Sequence, residues 1–183
     1  TTERTAYGVI AALALGLRLH GLGSTPLDAA EASQALAALA GAQGAAGDLA
    51  GLSPLLHTAQ RLLFAVNGPA DMAARILPAL LGGLAVLFLW PLRRWLTRSG
   101  ALAAAVLWAM SPLGAYATRQ GIGEGLVAPL TLAVIGLAAS VWTAEDDKAR
   151  RRSGVALGVA GGMLLLSGSG AWTAAVGVAI AAL

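Results

Sequence analysis

The sequence predicts an all-α fold: a polytopic transmembrane helical bundle with interfacial helices in a long first extracytoplasmic loop. Three observations predict it. The chain is 57% hydrophobic and 11% charged over 183 residues, with a mean hydropathy of +0.74; soluble domains carry about 25% charged residues. The apolar residues gather in about six long runs, and a soluble core of this size has no room for that much apolar surface. Most basic residues fall in short stretches between those runs, the pattern of the positive-inside rule. That placement also answers the net charge of +3: the basic residues mark membrane topology, and no nucleic-acid partner is expected. With no cysteine, disulfides and thiolate metal sites do not arise.

The first run, 6–19, closes on Arg18 and His20 and lacks a small-residue cleavage site, so it is read as a retained span and not a signal peptide. Residues 21–71 form the first outer loop. Within it, 28–42 is strongly helix-forming, with Leu36 and Leu39 at helical spacing, and is expected to lie along the interface. Residues 54–66 are apolar but short and are interrupted by His57, Gln60 and Arg61, so this stretch is expected not to cross. Spans are expected at 72–92, 101–118 and 123–143, followed by apolar pieces at 154–166 and 171–183 around Ser167-Gly-Ser-Gly170. The last piece stops mid-run, so residues 1–183 are read as one transmembrane domain, the N-terminal part of a larger one.

If 54–66 does not cross, Arg4, the Arg93/Arg94/Arg98 group and the Lys148/Arg150/Arg151/Arg152 group share one side, which is then cytoplasmic together with the N-terminus. Trp90, Trp95 and Trp142 flank those basic stretches as interfacial anchors. The localisation this implies is the plasma membrane, with membrane lipids as the surroundings.

Arg18, Arg61, Arg75 and Arg119 break the charge rule, because this topology places them at the outer face. Asp28, Glu31, Asp48, Asp71, Glu124, His20 and His57 lie on the same side. Such a set suits a ligand with an anionic headgroup and an apolar tail: arginine forks fit phosphate oxygens, and carboxylates serve as general bases. Arginines that snorkel and pair with nearby acids would produce the same pattern without a ligand. Gly121-Ile-Gly-Glu-Gly125 looks like a phosphate-cradling loop but precedes a span instead of following a strand. Gly154 and Gly158 form a small-xxx-small pair suited to close helix approach. No metal-ligand spacing is visible.

The order of these features resembles the membrane domain of the GT-C glycosyltransferases, which include the protein mannosyltransferases, the aminoarabinose transferases and the oligosaccharyltransferase catalytic subunit. The segment from Leu17 to Leu27 is similar to the end of their first span, and Asp28-Ala-Ala-Glu-Ala32 stands in the place of their Asp-Glu-Ala motif. Residues 54–57 and 64–68, the run starting Ala74-Arg75, Ser111-Pro112, Thr118-Arg119 and Glu124 follow in the family's order. The resemblance implies sugar transfer from a polyprenyl-phosphate carrier to an acceptor at the outer face. It implies Asp28 or Glu31 as the base, Arg75 and Arg119 on the donor phosphate, and Glu124 and His57 as further substrate-binding residues. No cofactor is assigned beyond a divalent cation that Glu124 could orient. Aligning Glu31-Ala32 with the family motif puts Ala30 where the aspartate belongs. That departure keeps a second reading open: a non-enzymatic membrane subunit packed with other subunits of a complex.

Overall fold

A computed structural model describes residues 2–45, 51–168 and 170–181. Among these residues the regular elements are helices only. They are α1 (Thr2–Leu19), α2 (Ala29–Ala42), α3 (Pro54–Asn67), α4 (Asp71–Leu84, continued by a 3-10 segment at Ala85–Leu89), α5 (Arg93–Met110), α6 (Pro112–Arg119), α7 (Glu124–Trp142), α8 (Asp147–Leu165) and α9 (Gly170–Ala181).

Cross-contacts define two ends of the bundle. At the basic end, Arg93 lies 3.7 Å from Glu3, Arg94 lies 3.6 Å from Glu145, and the rings of Tyr7 and Trp90 meet edge-on at 5.1 Å. At the loop end, Arg18 reaches the carbonyls of Trp108 and Ala109, and the Leu55 N–H donates to Leu166 O at 3.0 Å. Thus α1 and α5 run one way, α4 and α7 the other, and α8 returns. Helix α3 keeps to the loop end: Leu55 meets Leu166, Gln60 meets Ala74 and Gly121, and Phe64 packs with Ala35, Ala38 and Ala74.

Side-chain size is distributed inside out around α1, whereas the core between α3, α7 and α8 is built on Leu56, Leu126, Leu130 and Leu164. The core between α1, α4 and α5 is built on Ala11, Ala14, Ala105 and Ala109, with Tyr7, Val86 and Leu89. Large apolar residues instead form outward stripes, such as Val9, Leu13 and Leu17 on α1 (45–63% exposed) and Val155 and Val159 on α8. Alanine lets helix backbones approach closely, and stripes that water would reject are suited to hydrocarbon. By length and composition, two helical stretches among the described residues can cross a bilayer, Asp71–Leu89 and Glu124–Trp142. This is fewer than the apolar runs of the sequence, because α1 and α8 begin within charged segments that the helix absorbs, while α5 is kinked at Thr97, φ +62, between its basic first turn and its apolar part.

Besides the earlier starts of α1 and α5, two of the expected runs are divided or extended. The 101–118 run is not one span. Ser111 turns to an extended conformation, its hydroxyl caps the Gly114 N–H at 3.1 Å, and Pro112 starts α6 as a separate helix. The 154–166 run begins seven residues earlier than its apolar part, because Asp146 caps the Lys148 and Ala149 N–H groups.

Proline inside α4 is compensated by a side chain. Pro78 has no N–H, so the Ala74 carbonyl lacks its donor one turn on, and Gln60 Nε2 supplies the bond at 2.9 Å. The polar interruption in α3 is therefore a splint for its neighbour.

Close helix approach falls on different glycines from those the sequence suggests. Gly154 and Gly158 face open space. At Gly136 on α7, a Cβ would overlap the backbone carbonyl of Phe88. Gly136→Ala is expected to destabilise the protein by about 1–3 kcal/mol, since a backbone carbonyl cannot swing aside, while Gly154→Ala, inside α8 and in open space, is expected to be neutral or stabilising by up to about 1 kcal/mol. Thermal unfolding of both variants in one detergent checks this; equal midpoints would contradict the packing.

Candidate functional site

The loop-end cleft grows from the start of α2. Asp28 and Glu31 form a reciprocal cap: Asp28 Oδ1 accepts the Glu31 N–H at 2.8 Å, and Glu31 Oε2 accepts the Asp28 N–H at 3.0 Å. The cap turns the Glu31 carboxylate inward, where the side chain is 2% exposed and meets Arg75 from α4. Arg75 Nε donates to Oε1 at 2.8 Å and Nη2 to Oε2 at 2.5 Å, a two-pronged pair. The Gly121 N–H adds a bond to Oε1 at 2.7 Å. Burial pushes the Glu31 carboxyl up, but the Arg75 fork and the Gly121 and Asp28 N–H groups outweigh it and hold the group below its ordinary value.

Arg75 is fully engaged. Beyond Glu31, its Nη1 donates to Leu22 O and Thr25 O, and its Nη2 to Pro26 O. These bonds use all five guanidinium donors. Arg75 therefore lashes the first loop to α4 and has no donor left for a phosphate, which departs from the role the family resemblance implies for it. Glu31, accepting four bonds, is in no position to act as a base.

Two other groups remain open. Asp28 is exposed, and its Oδ2 has no bonding partner among the described residues. Arg119, at the end of α6, donates to Leu17 O at 3.3 Å and Gly21 O at 3.2 Å, which leaves three of its five donors. No carboxylate bonds it among the described residues. Gly21 sits at φ +61, a conformation that favours glycine and lets its carbonyl face Arg119. Asp28 and Arg119 line one cleft of about 490 Å³, with Leu22, Thr25, Glu31 and Arg75 on one wall and Pro112, Ala115 and Tyr116 on the other.

His57 and Glu124 lie elsewhere. His57 packs against Gly41 and lines a small cavity of about 100 Å³ with Ser53 and Thr58. Glu124, exposed at the start of α7, lines a separate cavity of about 320 Å³ with Ser33, Gln34, Ser53 and Ser167. Ala30 opens into that second cavity, so Asp28 and position 30 face different spaces although they are two residues apart. The 121–125 glycine string is a bracket instead of a phosphate cradle: the Gly121 N–H holds Glu31 and its carbonyl accepts Gln60 Nε2 at 3.4 Å. Asp48 lies outside the described residues.

For the divalent cation, the donor set does not fit. Among the described residues no three acidic or histidine side chains converge, Glu31 is saturated, and Asp28 and Glu124 are in different cavities. One residue escaped the sequence reading of the site and one differs from it: Gln60 looked like a mere interruption, and Arg18, grouped there with the arginines open to a ligand, is completely buried with no carboxylate bonded to it among the described residues.

The class to which the sequence of this helical chain assigns it is the GT-C-type glycosyltransferases. Residues 52–183 match the dolichyl-phosphate-mannose-protein mannosyltransferase family, and the chain belongs to that membrane-embedded family. The matched segment carries α3 to α9, with Arg75 and Arg119, and leaves α2 outside it. No curated protein and no solved structure matches the chain.

Proposed function

We propose that the chain transfers a sugar from a polyprenyl-phosphate carrier to a hydroxyl-bearing acceptor, with the loop-end cleft at the outer membrane face and the N-terminus in the cytoplasm. The observation that carries this reading is that Asp28, with an oxygen unbonded among the described residues, and Arg119, with three donors unused among them, line the same cleft. The acceptor oxygen attacks the anomeric carbon and its proton passes to Asp28. The bond from that carbon to the phosphate oxygen breaks, and the electron pair leaves with the polyprenyl phosphate. Arg119 meets the charge that grows on the phosphate. Glu31 and Arg75 hold the base's helix against α4. The basic end, with exposed Trp95 and Trp142, then faces the cytoplasmic leaflet. A purely structural subunit would close Arg119 with an acid, as Arg75 is closed by Glu31.

Farnesyl phosphate binding to the protein in nanodiscs tests the reading. Arg119→Ala is expected to weaken binding by roughly 10- to 100-fold, the loss of one charge-assisted bond or slightly more, with the unfolding midpoint unchanged. Equal affinity in parent and variant, or none in the parent, would overturn the donor role of the cleft.

A further inference from the structure

The geometry points to Arg18 as a positioning residue: it splints the break between α5 and α6 and so sets Arg119 on the wall of the cleft. The break leaves carbonyls without donors. Pro112 has no N–H to give the Trp108 carbonyl one turn earlier, and the extended Ser111 carries the chain away from the Ala109 carbonyl. Arg18 fills both vacancies from the neighbouring helix, Nη2 donating to Trp108 O at 3.1 Å and Nη1 to Ala109 O at 3.3 Å. Its Nε donates to Thr118 Oγ1 at 3.0 Å, and that hydroxyl donates onward to Gly114 O at 2.7 Å. One planar fork therefore grips the last turn of α5 and the last turn of α6 together. Thr118 is 1% exposed, and the next residue is Arg119.

The solution parallels Gln60 under Pro78, where a side chain from a second helix bonds the carbonyl that a proline leaves bare. Arg18 differs in carrying a charge. A fully buried arginine with no acid bonded to it among the described residues is costly at membrane depth, and an amide, as Gln60 shows, could satisfy two carbonyls without that cost. What the amide cannot do is reach three acceptors on two helices at fixed angles. Lysine is no substitute either, because its point charge lacks the fork. The Trp108 ring, 5.8 Å from the guanidinium, and the bond from Trp108 Nε1 to Gly82 O at 2.8 Å complete the junction with α4.

The structural part of this inference stands without any ligand; its consequence for Arg119 rests on the proposed function. Hydrogen exchange and farnesyl phosphate binding are to be compared in nanodiscs for the parent, Arg18→Lys and Arg18→Gln. Amides of 113–119 are expected to exchange about tenfold faster or more in both variants, while those of 130–139 hold. Affinity for the probe is expected to fall by about tenfold in both variants. Unchanged exchange at 113–119 in Arg18→Lys would overturn the splint. Faster exchange with parental affinity, or affinity restored by lysine alone, would overturn the positioning of Arg119 and leave the charge as the active property. If the parent itself binds no farnesyl phosphate, the proposed function falls, and the exchange data still decide whether Arg18 holds the break. If Arg18→Gln does not fold, the lysine variant carries both readings.

Discussion

Glu31→Ala is expected to be among the most destabilising single changes in the chain, at about 3–5 kcal/mol, because it leaves the Arg75 guanidinium buried without its counter-charge. A buried pair of ordinary kind could be exchanged for two apolar residues at little cost. Here the double variant Glu31→Ala with Arg75→Met should recover only part of the loss. Arg75 also holds the carbonyls of Leu22, Thr25 and Pro26, and Glu31 the Gly121 N–H; each buried group left bare costs about 1–3 kcal/mol. The same pair gives the protein an acid limit. The folded state holds the Glu31 carboxyl below its ordinary value. Its stabilisation is therefore complete above the unfolded value of about 4.3 and is lost as pH falls through the folded one. Unfolding midpoints in detergent from pH 7 to pH 3, for the parent and Glu31→Gln, measure both effects. A parent whose midpoint falls no further between pH 7 and pH 3 than that of the glutamine variant, or an alanine variant as stable as the parent, would show that the clamp does not hold the loop.

Asp28→Asn is expected to lower turnover by about 100- to 10,000-fold, the range for loss of a general base, with little change in stability. The substitution is clean because asparagine caps helices about as well as aspartate, so the cap on α2 survives while the proton acceptor goes. Ala30→Asp gives a second arm. The family resemblance sets its aspartate at that position, but residue 30 opens into the cavity of Glu124 and not the cleft of Arg119. Adding an acid there should not rescue Asp28→Asn if the cleft is the reaction site. Transfer from a polyprenyl-phosphate sugar, measured for the parent, both single variants and the pair, reads this directly. Rescue by Ala30→Asp would move the chemistry into the Glu124 cavity. Parental rates in Asp28→Asn would remove Asp28 from the mechanism.

The parts of this architecture that the sequence discloses are those written in local signals. The limits of α2, α3 and α7 follow from a capping aspartate, a capping serine with proline behind it, and an apolar run bounded by glycine and threonine. The division at Ser111-Pro112 was also written locally, but the apolar run across it is so continuous that hydropathy alone reads one span. Asp28, Glu31, Arg75 and Arg119 line one cleft. What residue type could not disclose is who occupies whom. Arg75 and Arg119 carry the same side chain, and only the return of residues 22–26 over α4 decides that one is saturated and the other open. The role of Arg18 stayed obscure for a related reason: apart from the Thr118 hydroxyl its partners are backbone carbonyls, which leave no mark in a sequence beyond the proline that strands them.

The Glu31 bracket also bears on how the chain is made. Its three parties are a carboxylate in the first loop, a guanidinium 44 residues on and a backbone amide 90 residues on. At translation rates of about 5–20 residues per second, roughly 5–20 s separate the synthesis of Glu31 from that of Gly121. Throughout that interval the loop has emerged without the partner that completes its lock. The nascent first loop must therefore wait, loosely held, until the hairpin of α6 and α7 arrives, which makes that interval the natural window for a chaperone or a protease to act on it.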